Sequence, residues 1–323
     1  MELNEFLAEW HNDNPRILVH TSGSTGKPKP LMVEKRRMLN SARITCDFLG
    51  LKPGDTALLC MPLDYIAGKM MVVRSLQRDL RLTTVRPSSH PLADDTLPDF
   101  TFAAMVPMQV YNTLKVPCER ERLMRIRHLI IGGGAISDEL AQMIKTLPNA
   151  VWSTYGMTET LSHIALRRLN GPDASLWYTP FDGVGISLNA DGCLVIDAPE
   201  VCAEPLVTND IAQLRTDDRT GKTLFRIKGR KDNVVCSGGI KIQIEEVEET
   251  LRPHLSAPFM IVKKQDEMLG EKAILLTESA DLTHIAEICR NTLPKYWVPR
   301  EFLHIDHLPL TETGKPRRSF TPR

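Results

Sequence analysis

The sequence predicts an α/β domain followed by a smaller α+β domain, on three observations. Strand-like and helix-like segments alternate from residue 15 to about 165. From about 180 the texture changes to short strands separated by turn signals, Asp191-Gly192 and Thr220-Gly221. Beyond Gly229-Arg230-Lys231-Asp232, strand and helix signals resume on a smaller scale. The boundary is therefore drawn there, giving a large domain over 1–228 and a small one over 229–323. A chain of 323 residues and 36.3 kDa is long enough for two cores.

The elements follow in order. Ile17, Leu18 and Val19 read as a buried strand, and the apolar run 57–61 as another. Residues 66–78 are a mostly apolar helix candidate, with further strands at 100–106 and 128–131. Ser137-Asp138-Glu139 opens a helix running to 147, a hydroxyl N-cap with acids in the first turn. Strands follow at 150–154 and 223–227, then a helix at 245–251, strands at 259–262 and 272–277, and a helix at 282–291. There is no internal repeat or low-complexity segment.

Composition narrows the function classes. Forty basic and forty acidic residues cancel, which argues against a general nucleic-acid binder. Seven cysteines, an odd number with no Cys-x-x-Cys pair, fit reduced thiols. The start Met1-Glu2-Leu3-Asn4-Glu5 lacks the basic-then-apolar run of a signal peptide. No apolar stretch approaches the ~20 residues that span a bilayer. The expectation is a soluble cytoplasmic protein with no membrane span.

His20-Thr21-Ser22-Gly23-Ser24-Thr25-Gly26-Lys27-Pro28-Lys29 is the most telling run. Glycines let backbone N–H groups turn toward phosphate oxygens, hydroxyls donate further bonds, and lysines offset charge. Taken alone it is also compatible with an exposed turn. It is not a Walker A loop, because Pro28 follows Gly26-Lys27. In Tyr155-Gly156-Met157-Thr158-Glu159-Thr160, Gly156 allows a tight turn that brings aromatic, hydroxyl and carboxylate groups to one cleft. A carboxylate such as Glu159 suits Mg²⁺, although a lone Glu is ordinarily a solvated surface acid. Gly132-Gly133-Gly134-Ala135, between strand and helix, offers side-chain-free backbone to a flat ring, or is a plain turn. Arg74 lies on an apolar helix near Ala67, Met70 and Met71; it needs an anion or a route to water, and snorkelling is the simpler expectation.

Taken together, these segments resemble the acyl-adenylating superfamily of acyl-CoA synthetases, peptide-synthetase adenylation domains and luciferases. Thr21 to Lys29 match its TSGSTGxPK loop without a gap, and Tyr155 to Glu159 its YGxTE motif. Asp210 in Thr208-Asn209-Asp210 matches its T-G-D, with Asn209 a mild departure. Gly229 to Asp232 match its Gly-Arg-x-Asp, and Pro309 to Lys315 its PxTxxGK.

The resemblance implies ATP, Mg²⁺ and CoA as partners of a small carboxylic acid. It assigns the phosphates to residues 21–27, and the nucleotide further to Gly133, Gly134, Ala135, Ser153, Thr154, Tyr155 (stacked on adenine) and Gly156. Thr158 bonds the α-phosphate, Glu159 holds Mg²⁺, Asp210 and Arg230 bind ribose, and Lys315 catalyses adenylation. Asp232 is the hinge of a C-terminal lid, and Gly238 and Gly239 guide CoA. Relatives carry a longer region before the phosphate loop, so a truncated adenylating fold is expected, with homodimerisation one way to cover the exposed face.

For the acid, Pro62-Leu63-Asp64-Tyr65-Ile66-Ala67-Gly68 stands where relatives carry PLFHxxG, Asp64-Tyr65 being a departure. Val73-Arg74-Ser75 and Thr158 to Ala165 look most like the o-succinylbenzoate–CoA ligases of menaquinone biosynthesis. That family uses an arginine in this helix for the second carboxylate. Arg74, Gly132, Ser162 and His163 are the substrate candidates. Ligation or carrier loading of another acid, and an adenylate-binding protein without turnover, stay open as alternatives.

Overall fold

The computed structural model describes residues 1–20, 30–134, 136–310 and 316–318. The chain divides into two compact units. One holds Met1–Ile186, Ile196–Leu206 and Arg215–Phe225; the other holds Ser187–Val195, Val207–Leu214 and Arg226–Arg323. The sequence reading had put everything to residue 228 in the large domain, whereas two earlier segments cluster with the C-terminal part.

The first unit begins with helix α1 (Leu3–His11) and antiparallel strands β1 (Arg16–His20) and β2 (Pro30–Glu34), Val19 opposite Leu31. Helix α2 (Lys35–Leu49) ends on Gly50 in the left-handed region. A doubly wound succession follows: β3 (Thr56–Leu59), α3 (Ile66–Arg78), β4 (Arg81–Thr84), β5 (Phe102–Met105), α4 (Pro107–Lys115), α5 (Pro117–Met124), β6 (His128–Ile131), α6 (Asp138–Lys145) and β7 (Ala150–Gly156). Strands β8 (His163–Arg168) and β9 (Thr179–Pro180) complete a seven-stranded sheet of order β4-β3-β5-β6-β7-β8-β9. The pairs from β4 to β7 are parallel and the last two antiparallel. The central strands are nearly continuous apolar runs because helices cover them, as in parallel sheets generally. Strand order reverses between β3 and β5, and the carboxyl ends of strands beside such a switch point form a ligand crevice.

The expected strands and helices here are present with ends moved by a few residues, and α3 has the expected bounds. Ser137 caps α6, its hydroxyl accepting from the Leu140 N–H at 3.2 Å, as its hydroxyl-then-acid pattern implied.

Strands β10 (Gly185–Leu188), β11 (Cys193–Asp197), β12 (Leu206–Thr216) and β13 (Thr223–Arg230) form a four-stranded sheet in chain order. The expected turns are there: Gly192 and Gly221 both have positive φ. In the second unit, β14 (Val234–Ser237), β15 (Ile240–Gln243), α7 (Ile244–Leu251), β16 (Phe259–Asp266), β17 (Gly270–Thr277), α8 (Leu282–Thr292) and β18 (Glu301–His304) follow. The sheet order is β15-β14-β17-β16, with β18 parallel to β17. Val235, Val247, Leu251, Ile261, Leu275, Ile285 and Cys289 pack a core on one face, and Met260, Val262, Ile274 and Leu276 one on the other.

Near the chain's end a largely buried ion pair ties Arg318 to this core. Arg318 donates to both Glu248 carboxylate oxygens at 2.7 Å and to the Ile261 carbonyl at 2.6 Å. Among the described residues no helix is long and apolar enough to cross a membrane.

Candidate active site

The acid-pocket candidates converge in the first unit. Helix α3 is buried from Gly68 to Ser75, so no face is left for a long cation to reach water. Arg74 is only 2% exposed, and the snorkelling expectation is overturned: packing on every side of α3 traps the guanidinium. Its Nη2 donates to Ser162 Oγ at 2.5 Å, its Nη1 faces the Met71 sulfur at 3.9 Å, and its Nε has no partner. Among the described residues no carboxylate pairs with it. Burial pushes its pKa down to about 10, which is the signature of a cation without a counter-charge.

Ser162 is brought to Arg74 by the turn joining β7 to β8. The antiparallel register shifts between Tyr155 and Gly156, so Gly156 faces His163. A side chain on Gly156 would press into the Ser162 carbonyl and the His163 backbone, so the turn is closed only with glycine there. Thr160, fully buried, stitches it: its hydroxyl accepts from the Met157 N–H at 2.9 Å and donates to the Ser162 carbonyl at 2.6 Å. Leu161 is held at φ 65° and buried, a strained conformation for a branched side chain, of the kind that clusters at functional sites.

His163 is buried with both ring nitrogens engaged: Nδ1 lies 3.2 Å from Ser162 Oγ and Nε2 3.1 Å from Thr45 Oγ1. Burial, then the charge of Arg74, holds its pKa well below 6.5, so the ring is neutral. The sequence reading missed Thr45. The signal was blurred: Met38, Ser41, Ala42, Thr45, Cys46 and Leu49 form the buried face of α2 at helical spacing, but polar Ser41 and Thr45 interrupt its apolar pattern.

The nucleotide candidates of this unit line the carboxyl ends of β6 and β7. A side chain on Gly132 would strike the Thr154 hydroxyl, and Gly133 turns at φ 81°. The half-buried Tyr155 packs edge-on to Phe225 at 5.0 Å and tilted on Tyr178 at 5.7 Å, while Ser153 Oγ meets the Tyr178 hydroxyl at 2.9 Å. Thr158 is buried and Glu159 exposed. Glu159 lines a groove with Arg16, Arg37 and Cys202 among others; Arg74 does not border it. A second buried cation escaped the sequence reading. Lys69 donates to the Leu18 carbonyl on β1 at 2.6 Å, and burial lowers its pKa.

The second unit holds its own cluster. Arg230 bridges Asp210 at 3.3 Å and Asp232 at 3.0 Å, and the Asn209 amide reaches Asp232 at 3.4 Å. Gly238 and Gly239, at φ 56° and 82°, form the two-residue hairpin turn between β14 and β15, which by itself demands residues tolerant of positive φ. Residues 21–29, Ala135 and Lys315 lie outside the described residues; on either side of Lys315's segment, Leu310 and Pro316 pair antiparallel.

The chain is similar to several known proteins. The family model described as AMP-binding enzyme matches residues 4–203. The 2-succinylbenzoate–CoA ligase of Bacillus mycoides is 25% identical, over 95% of this chain and 69% of that protein. A solved structure described as an acyl-CoA synthetase (AMP-forming)/AMP-acid ligase II-like protein, from Dyadobacter fermentans, is 34% identical. It covers 98% of this chain and 91% of that one, at a TM-score of 0.68. The o-succinylbenzoate–CoA synthetase of Bacillus subtilis, solved with ATP and magnesium ion, shares the fold at a TM-score of 0.73 and 23% identity, over 94% and 68% of the two chains.

Proposed function

The chain belongs to the AMP-binding enzyme family, and from that premise we propose that it is an acid–CoA ligase acting on o-succinylbenzoate, as in menaquinone biosynthesis. The reaction has two steps. The acid's carboxylate attacks the α-phosphate of ATP, giving acyl-adenylate and pyrophosphate; the CoA thiol then displaces AMP, giving the thioester.

The observation that carries the choice of acid is Arg74. A guanidinium buried without a carboxylate costs several kcal/mol by order of magnitude, and retaining one makes sense where a ligand supplies the anion. o-Succinylbenzoate offers a second carboxylate, which suits a guanidinium whose Nε has no partner and whose Nη1 meets only a thioether sulfur. Similarity to the 2-succinylbenzoate–CoA ligases supports the same assignment.

The other roles follow from family membership. Tyr155 borders adenine beside Gly132 to Gly134, Thr158 bonds the α-phosphate, and Asp210 with Arg230 takes the ribose. Glu159, an exposed lone carboxylate, fits Mg²⁺, which takes few protein ligands and keeps its waters. When bound, the ion neutralises charge on the phosphates. Residues 21–27 cradle those phosphates, and Lys315 stabilises charge during adenylation. Asp232 is the hinge that exchanges Lys315 for the Gly238-Gly239 face in the thioester step. Removing one charge-stabilising donor costs about 10²–10³ in rate, so Lys315→Ala loses that much in adenylation while sparing thioester formation from acyl-adenylate.

The test is AMP and thioester formation from ATP, CoA and a panel of o-succinylbenzoate, benzoate and medium-chain fatty acids. Strong preference for o-succinylbenzoate is expected. Turnover of another acid would keep the chemistry and discard the substrate; ATP binding without AMP release would point to an adenylate-binding protein.

A further inference from the structure

Thr45 has no place in the nucleotide or acid contacts above, yet its hydroxyl sits at the end of a chain of side chains that reaches Arg74. The direction of that chain follows from counting hydrogens. Thr45 Oγ1 carries one hydrogen and donates it to the Ser41 carbonyl one turn back in α2, at 3.1 Å. Toward His163 Nε2, 3.1 Å away, it therefore presents a lone pair, so Nε2 carries the ring hydrogen. A neutral imidazole has only one N–H, which leaves Nδ1 to accept from the Ser162 hydroxyl at 3.2 Å. Ser162 Oγ then faces Arg74 with lone pairs alone and accepts from Nη2 at 2.5 Å. Every hydrogen in the series has an acceptor, and the polarity runs from Arg74 to Ser41.

We propose that Thr45 is a positioning residue for the acid site, fixing through His163 and Ser162 the direction of the hydrogen bonds that orient the Arg74 guanidinium. This rests on the reading of Arg74 as the anchor for the acid's second carboxylate. With the Thr45 acceptor gone, a buried Nε2–H would be left unpaired, and the ring moves its proton to Nδ1. Nδ1–H then donates to one lone pair of Ser162 Oγ while Nη2–H keeps the other, and the hydroxyl hydrogen loses the ring acceptor that fixed its direction, so the Arg74–Ser162 bond is no longer held in one orientation. His163 on this account is a spacer with both nitrogens occupied, and it touches no substrate.

Two readouts on the full chain test the proposal. Long-range ¹H–¹⁵N NMR with ¹⁵N-labelled histidine, His163 being identified by its loss in His163→Gln, reports the tautomer. The expected result is a neutral Nε2–H ring at neutral pH, a shift to Nδ1–H in Thr45→Val, and the wild-type pattern in Thr45→Ser. In turnover with o-succinylbenzoate, Thr45→Val raises the KM for the acid about tenfold, leaves the KM for ATP unchanged, and is rescued by Thr45→Ser. Benzoate, with no second carboxylate, shows no such rise. A wild-type Nδ1–H tautomer or an imidazolium would overturn the chain; an unchanged acid KM, or an equal rise for benzoate, would overturn the positioning role. No turnover of o-succinylbenzoate by the wild type overturns the acid reading and the positioning role with it, while the tautomer still decides the chain.

Discussion

Two arginines, Arg74 buried and Arg318 largely so, have opposite surroundings. Arg318, in the C-terminal unit, meets Glu248 through two parallel bonds of 2.7 Å and caps the Ile261 carbonyl as well. Arg74, in the N-terminal unit, meets a serine hydroxyl and a methionine sulfur. Burial lowers the pKa of both, but at Arg318 the Glu248 bond and charge outweigh it and the net shift is upward, whereas Arg74 falls to about 10. The first arginine has its counter-charge within the chain, and among the described residues the second has none. On the proposed function, the counter-charge and not burial alone is what separates a structural cation from a functional one.

The largest effect expected on the Arg74 side comes from the backbone that carries Ser162. Gly156→Ala forces the β7–β8 turn apart and costs on the order of 3 kcal/mol, read as a drop in denaturant midpoint together with loss of AMP formation. Breaking the completed pair is comparable: Arg318→Met leaves the Glu248 carboxylate buried and costs about 3 kcal/mol in urea unfolding. Arg230, about a third exposed between Asp210 and Asp232, provides the contrast, and Arg230→Met costs under ~1 kcal/mol of stability.

A pH effect of intermediate size separates the two regions further. The folded-state pKa of His163 lies below its unfolded value of about 6.5, so the unfolded chain binds the proton more readily. The stability it contributes is complete above about pH 6.5 and is lost as pH falls toward the folded value, at about 1.4 kcal/mol per pH unit. Unfolding of His163→Gln, compared with wild type from neutral pH to pH ~5, lacks that slope. An identical slope in the two proteins would show that the ring charges freely beside Arg74. The smallest effect is opposite in sign to Arg318→Met: Arg74→Met removes a desolvated, unpaired cation and leaves the ligand-free protein as stable or about 1 kcal/mol more so.

Much of this was legible in the residues. The buried helix α3 was placed to its ends because Ile66–Arg78 is mostly apolar, even though it buries Lys69, Arg74 and Ser75, and Ser137 marked the start of α6. The YGMTE turn was recognised from its residue types, and Ser162 and Arg74, named together as substrate candidates although far apart in sequence, are joined by a hydrogen bond. Two things were not visible. Helix α2 buries Ser41 and Thr45 among its apolar positions, and two polar residues on the inner face blur the periodicity that would reveal it. The fate of Arg74 also depended on what surrounds α3 on all sides, which a helical projection of one segment cannot supply.

The measurement that bears most directly on the central claim is the selectivity of Arg74→Met. The ratio of kcat/KM for o-succinylbenzoate to that for benzoate should fall by about 10²–10³ in the variant, as expected when a charged hydrogen-bonding partner of the substrate is removed, with activity on benzoate near the wild-type level. Equal loss on both acids, together with a lowered stability, would make Arg74 a structural residue like Arg318 and contradict the account.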